Sequence, residues 1–203
     1  MHTDTERNIS YQESTLNTLQ DKKVLIVIDM QNDFITGPYG TEEAKNIVEN
    51  VKNKIEQYSK LDNSVIIFTK DTHTEDQFIN QSKFTDGRLL QTKHCIKDTD
   101  GWEFEETLLS VINDLVSHNN CKIIEKRSSG TFQWKEFLDN FNAISIEICG
   151  LRTDVNVIFN ALIIRTYNPD VNMMIDQSCC AGSTPESHNM ALQIMSGCHI
   201  KIN

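Results

Sequence analysis

The chain has 203 residues, 38% of them apolar, which suits one compact core and leaves little for a second. Its 29 acidic and 19 basic residues give a net charge of −10, and such a surface repels nucleic acid and anionic membranes at long range. No apolar run approaches the roughly 20 residues of a bilayer-spanning helix, and Met1 to Glu6 lack the apolar stretch of a secretion signal, so a soluble, cytoplasmic chain with a small-molecule partner is expected.

Residues 1–20 are polar and aperiodic and are expected to form a flexible N-terminal extension ahead of a single domain over 21–203. Beyond them, short runs rich in β-branched residues alternate with longer amphipathic ones. Strands are predicted at Val24–Asp29, Ser64–Thr69, Cys121–Lys126, Ala143–Cys149, Val171–Asp176 and Cys198–Ile202. Helices are predicted between them at Thr41–Tyr58, Glu103–Ser117, Gln133–Phe141, Thr153–Tyr167 and Thr184–Met195. The last helix begins with Ser183-Thr184-Pro185-Glu186, read as a cap, a first-turn proline and a capping-box glutamate. Strand interiors such as Val24-Leu25-Ile26-Val27-Ile28 are apolar on both faces, which requires cover on both sides. The predicted fold is therefore α/β: a three-layer α/β/α sandwich around a mostly parallel six-stranded sheet, Rossmann-like in outline.

The segment from Thr69 to Glu103 is too long for a plain connection, and loops of that length inside a domain are usually functional. In open parallel sheets, ligands bind at the carboxyl ends of the strands, so polar residues there carry weight. Asp29 ends the first apolar run and Lys126 the third, which would put an acid and a base at one edge of the sheet. From spacing alone the two are equally readable as a structural ion pair or as the first solvated residues after buried strands. The six cysteines show no metal-ligand spacing and are read as reduced thiols. His118, His188 and His199 are expected at the surface or at helix caps, and Glu42-Glu43 and Glu103-Glu105-Glu106 on solvated helix faces.

Several motifs occur together in a meaningful order. They are Val27-Ile28-Asp29-Met30-Gln31-Asn32-Asp33-Phe34, Asp71-Thr72-His73, His94-Cys95-Ile96-Lys97-Asp98-Thr99 with Gly101-Trp102-Glu103, the Lys126 segment, Gly150-Leu151-Arg152-Thr153-Asp154-Val155, and Asp176 through His188. In this order the chain resembles the isochorismatase-like cysteine hydrolases, nicotinamidase/pyrazinamidase branch, over roughly residues 22–203. The resemblance implies an aspartate, lysine and cysteine triad in which the acid takes the thiol proton, the lysine favours the thiolate, and the thiolate attacks an amide carbonyl. Asp29 and Lys126 match two of these positions, and the third is Asn156. The backbone of the turn around Arg152, Thr153 and Asn156 would supply the oxyanion hole, whatever side chain stands at 156.

The resemblance further implies a divalent metal, zinc, iron or manganese, held by Asp71, His73 and His94, with Asp86 as candidate additional carboxylate. It places Phe34, Trp134 and Phe132 near the ligand, where ordinary core packing is an equal reading of each, and makes self-association the default. A carboxamide nitrogen is delocalised into its carbonyl and cannot attack as a thiolate does, so hydrolysis of nicotinamide to nicotinate and ammonia should fail in the chain as written. Three readings stay open: an amidohydrolase whose nucleophile has been replaced, a pseudoenzyme that keeps the pocket to bind a small ligand or a protein, and a hydrolase in which the metal activates water.

Overall fold

A computed structural model describes residues 19–79, 92–118 and 121–203. Six strands form the sheet: β1 (Asp21–Ile28), β2 (Ser64–Asp71), β3 (Cys121–Lys126), β4 (Asn142–Leu151), β5 (Asn172–Ala181) and β6 (Lys201–Ile202). Their order is β3-β2-β1-β4-β5-β6, and every pairing is parallel, where the sequence had suggested only a mostly parallel sheet.

The helices are α1 (Asn32–Ile35), α2 (Glu42–Asn46), α3 (Val48–Ser59), α4 (Glu75–Ile79), α5 (Glu106–Ser117), α6 (Trp134–Leu138), α7 (Ile158–Tyr167) and α8 (Pro185–Gly197). Helix α5 exists because Leu108, Ile112 and Leu115 recur on one buried face and Glu105 accepts hydrogen bonds from the free N–H groups of Thr107 and Leu108. Helix α3 packs on α5, while α6 packs on α7 and α7 on α8. The chain moves outward from β1 through β2 to β3, and from β4 through β5 to β6 in the opposite direction. The direction of winding therefore switches between β1 and β4, which opens a crevice at their carboxyl ends.

Several boundaries differ from expectation. The helix predicted at Thr41–Tyr58 divides at Ile47 into α2 and α3. Strand β5 runs past Asp176 to Ala181, because its register against β4 shifts between Ile148 and Gly150, and the polar stretch from Asp176 to Ser178 lies in the resulting bulge. Strand β6 is only two residues long, since Cys198 caps α8 and His199 turns the chain with φ at 61°. Thr184 caps α8 as expected, but its capping-box partner is Ser187 at the third helical position, and Glu186 only adds negative charge to the first turn. Gly150 is needed where it stands: its φ is +113°, and a Cβ there would lie 2.1 Å from the Ile28 carbonyl oxygen.

Candidate active site

Asp29 follows β1 with φ at 46°, a left-handed conformation that aspartate tolerates better than most residues. Its backbone N–H donates to Thr69 Oγ1 at 3.1 Å, and the Thr69 hydroxyl donates to Asp29 Oδ1 at 2.5 Å. The other carboxylate oxygen, Oδ2, accepts from Lys126 Nζ and from Asn156 Nδ2, both at 2.6 Å. Lys126 also donates to the Ser128 carbonyl at 3.1 Å. The Asp29 and Lys126 side chains have no solvent exposure at all. Burial, opposed by Lys126, raises the Asp29 carboxyl above its ordinary value. An enclosed ion pair of this kind is a poor source of stability, because desolvation consumes the attraction, and its place in the crevice between β1 and β4 marks it as a site.

Asn156 sits in a π-helical turn, Thr153–Val157, between β4 and α7, with Val155 and Val157 N–H groups both donating to the Arg152 carbonyl. The peptide between Leu151 and Arg152 is cis. Asn160, one turn later, fixes the arrangement: its Nδ2 donates to the Asn156 and Ser129 carbonyls at 2.7 and 2.9 Å, and its Oδ1 accepts from Trp134 Nε1 at 2.8 Å. Trp134 is therefore a buried brace behind the turn, and Phe132, expected near the ligand, is 78% exposed. His188, expected at the surface, instead places its Nδ1 2.8 Å from Thr153 Oγ1 and supports the same turn.

Beside this group lies a second one. Asp71, His73 and His94 each offer a ligand atom, all within 4.8 Å of one another. The His73 segment pairs with residues 95–97, through His73 N–H to the Cys95 carbonyl and Lys97 N–H to the His73 carbonyl, both at 2.9 Å. Asp33 Oδ2 accepts from the Cys95 N–H at 2.6 Å and so anchors the residue after His94. Gln31 clamps Asp71 by its main chain, accepting from its N–H at 2.7 Å and donating to its carbonyl at 3.0 Å.

The side chains of this second group converge. His73 Nε2 lies 3.3 Å from Asp71 Oδ1 and His94 Nε2 3.5 Å from Asp71 Oδ2. Each Nδ1 faces an acceptor, Gln77 Oε1 at 3.2 Å and the Thr92 carbonyl at 2.8 Å, which assigns the ring proton there and turns the Nε2 lone pair inward. Burial works against the charge of Asp71, and the Lys126 ammonium, 3.6 Å from Oδ1, favours it and holds the carboxyl below its ordinary value. No hydrogen bond reaches its buried Oδ1. Two inward imidazole nitrogens and an ionised carboxylate with an unused oxygen form a donor set that fits a divalent cation. Phe34, Tyr39 and Phe78 set their rings against His94, with centroids 5.6, 4.9 and 5.7 Å away. Asp86 lies outside the described residues.

Five of the six cysteines are buried and poorly placed to supply another nucleophile. Cys149 is fully enclosed in β4, and burial raises its thiol far above the ordinary value, as it does for Cys95 and Cys180. Burial likewise pushes the Cys121 and Cys179 thiols up to about 11. Five residues that matter here went unnoticed as site residues in the sequence: Thr69, Gln31, Tyr39, Phe78 and Asn160. Asn160 carried a signal, being the single polar residue in the apolar run Val157 to Ile164.

A doubly wound parallel sheet that carries an acid, a lysine and a histidine-carboxylate cluster at the carboxyl ends of its strands has the layout of an α/β protein with a small-molecule site. The model of the isochorismatase domain matches residues 23–202, and the chain belongs to that family. Among solved structures it is similar to a nicotinamidase from Bacillus subtilis at 24% identity, covering 89% of this chain and 98% of that one, with a TM-score of 0.76. A pyrazinamidase/nicotinamidase from Streptococcus mutans gives 24% identity, 90% and 100% coverage, and a TM-score of 0.77. A pyrazinamidase from Pyrococcus horikoshii, solved in complex with zinc, gives 24%, 90% and 98%, and 0.70. No curated protein matches the chain. Among the described residues, no helix is long and apolar enough to cross a membrane.

Proposed function

We propose that the chain is a nicotinamidase-type amide hydrolase scaffold in which Asn156 occupies the nucleophile position, so that it binds a small amide without covalent turnover. The observation that carries this reading is the shared oxygen: Lys126 Nζ and Asn156 Nδ2 both lie 2.6 Å from Asp29 Oδ2. A cysteine thiol at 156 would face the same carboxylate. Asp29, raised by burial, would take its proton, and Lys126 would stabilise the thiolate. The thiolate would attack the amide carbon, ammonia would leave, and water would release the acid from the thioester. The carboxamide of Asn156 instead donates to Asp29 and has no basic lone pair to offer.

Asp71, His73 and His94 are the proposed metal ligands, and the zinc in the Pyrococcus horikoshii relative supports that assignment. When bound, such an ion supplies an electrophile for a ring nitrogen or other donor of the ligand. Phe34 and Tyr39 give the same ligand a flat wall beside His94.

The test is ammonia release from nicotinamide by the chain and by Asn156→Cys at equal metal loading, with binding followed by calorimetry. Losing the nucleophile costs a serine protease about 10⁶ in turnover, so a gain of that order is expected in Asn156→Cys. Binding by both proteins with turnover only in the variant supports the reading; silence and no binding in either overturns it. Turnover by the chain itself that a chelator abolishes would favour metal-activated water instead.

A further inference from the structure

Arg152 is the unexplained charge beside this site. It directly precedes the turn that carries Asn156, and its carbonyl is already used by Val155 and Val157. Its guanidinium carbon stands 4.6 Å over the Tyr39 ring, and that ring meets His94 edge-on. One aromatic ring therefore separates the cation from the histidine cluster. Nη1 donates to Ser183 Oγ at 3.0 Å, while Nε is buried without an acceptor. Among the described residues, no carboxylate pairs with Arg152, although the chain holds 29 acidic residues against 19 basic ones.

A guanidinium stays charged at any physiological pH and presents five donors in a planar fork. Leaving that fork half-enclosed with one neutral hydroxyl as partner is costly, and a planar anion is the group that completes it. The Tyr39 ring 4.6 Å away restrains the guanidinium, which is therefore less mobile than a solvated charge.

We infer that Arg152 determines specificity: the amide taken by this site also carries a carboxylate, as in the monoamide of a small dicarboxylic acid. The guanidinium holds the carboxylate while the amide faces Asn156 and Asp29. This rests on the amide-binding reading of the site and narrows its substrate class from neutral to anionic amides. Arg152 caps the turn that carries Asn156, so both ends of the ligand would be held from one short stretch of backbone.

Three pairs of probes test it: oxamate and oxamide, malonamate and malonamide, succinamate and succinamide. Each pair differs only in a carboxylate or a neutral amide at one end. Calorimetry on the chain as written is expected to give at least one monoamide about 10- to 100-fold tighter binding than its diamide, the span of one charge-assisted bidentate contact. Arg152→Gln should bring that ratio to about one by weakening the monoamide, and Arg152→Lys should recover part of it. In the Asn156→Cys background the same change should raise the monoamide's KM by more than it alters kcat. Equal affinity within every pair, or a preference that Arg152→Gln leaves intact, overturns the assignment while the amide reading stands. If no probe binds, and Asn156→Cys releases ammonia from none of them nor from nicotinamide, the amide reading falls and this inference with it.

Discussion

His188 shows how much of a functional turn depends on residues that no motif names. Its Nδ1 faces Thr153 Oγ1, and burial lowers its proton affinity below the ordinary value near 6.5. The native chain therefore binds fewer protons than the unfolded one just below that value, so the His188 contribution to stability is full above about pH 6.5 and declines as pH falls. Tm measured from pH 7.5 to 5.5 should decrease, and His188→Gln should flatten the decrease; an unchanged slope in the variant would reject the assignment. In sequence this histidine follows a capping segment and looks solvated, because the contact to Thr153 spans 35 positions and leaves no local trace. Asn160 was more accessible to inspection. A lone carboxamide within an apolar helix must find partners, and it finds Asn156, Ser129 and Trp134.

The strands were the most legible elements, and the reason is physical. A parallel strand covered on both faces must be apolar throughout, and β1 and β2 are buried over most of their length, so composition alone marks them. The short helices α1 and α4, of four and five residues, hold too few turns for periodicity to register. The division at Ile47 has neither glycine nor proline to announce it, and the bulge in β5 is set by pairing with β4 rather than by its own residues. Capping is local and was legible in kind, though not in partner. Thr184 and Ser187 satisfy each other's N–H groups at 3.1 Å in both directions. Thr184→Ala should therefore cost about 1 kcal/mol in urea unfolding, with Ser187→Ala costing less than Thr184→Ala, since Thr184 satisfies the helix's own N–H. The placement of the candidate site was legible where the chain order of strand ends carried it: Asp29, Asp71 and Lys126 lie at neighbouring carboxyl ends because β3, β2 and β1 are adjacent.

The proposed metal ligands join parts of the molecule that are distant in the chain, since Asp71 closes a central strand while His94 comes from a separate segment held by Asp33. An ion bound only in the native arrangement would stabilise the whole domain by mass action. Zinc at about 100 times its Kd should add about 2.7 kcal/mol, equivalent to a rise of about 5–10 °C in Tm for a domain of this size. His94→Ala should abolish the rise, and a variant that keeps it would show that zinc binds elsewhere. The acid and the metal cluster would respond together, because Lys126 reaches both, at 2.6 Å to Asp29 and 3.6 Å to Asp71. The hydrogen bond from Asn156 to Asp29 has a last consequence. The carboxylate at the centre has donors from Thr69, Lys126 and Asn156, so on the proposed reading Asn156→Cys would gain turnover while giving up one buried hydrogen bond, a trade of stability for activity.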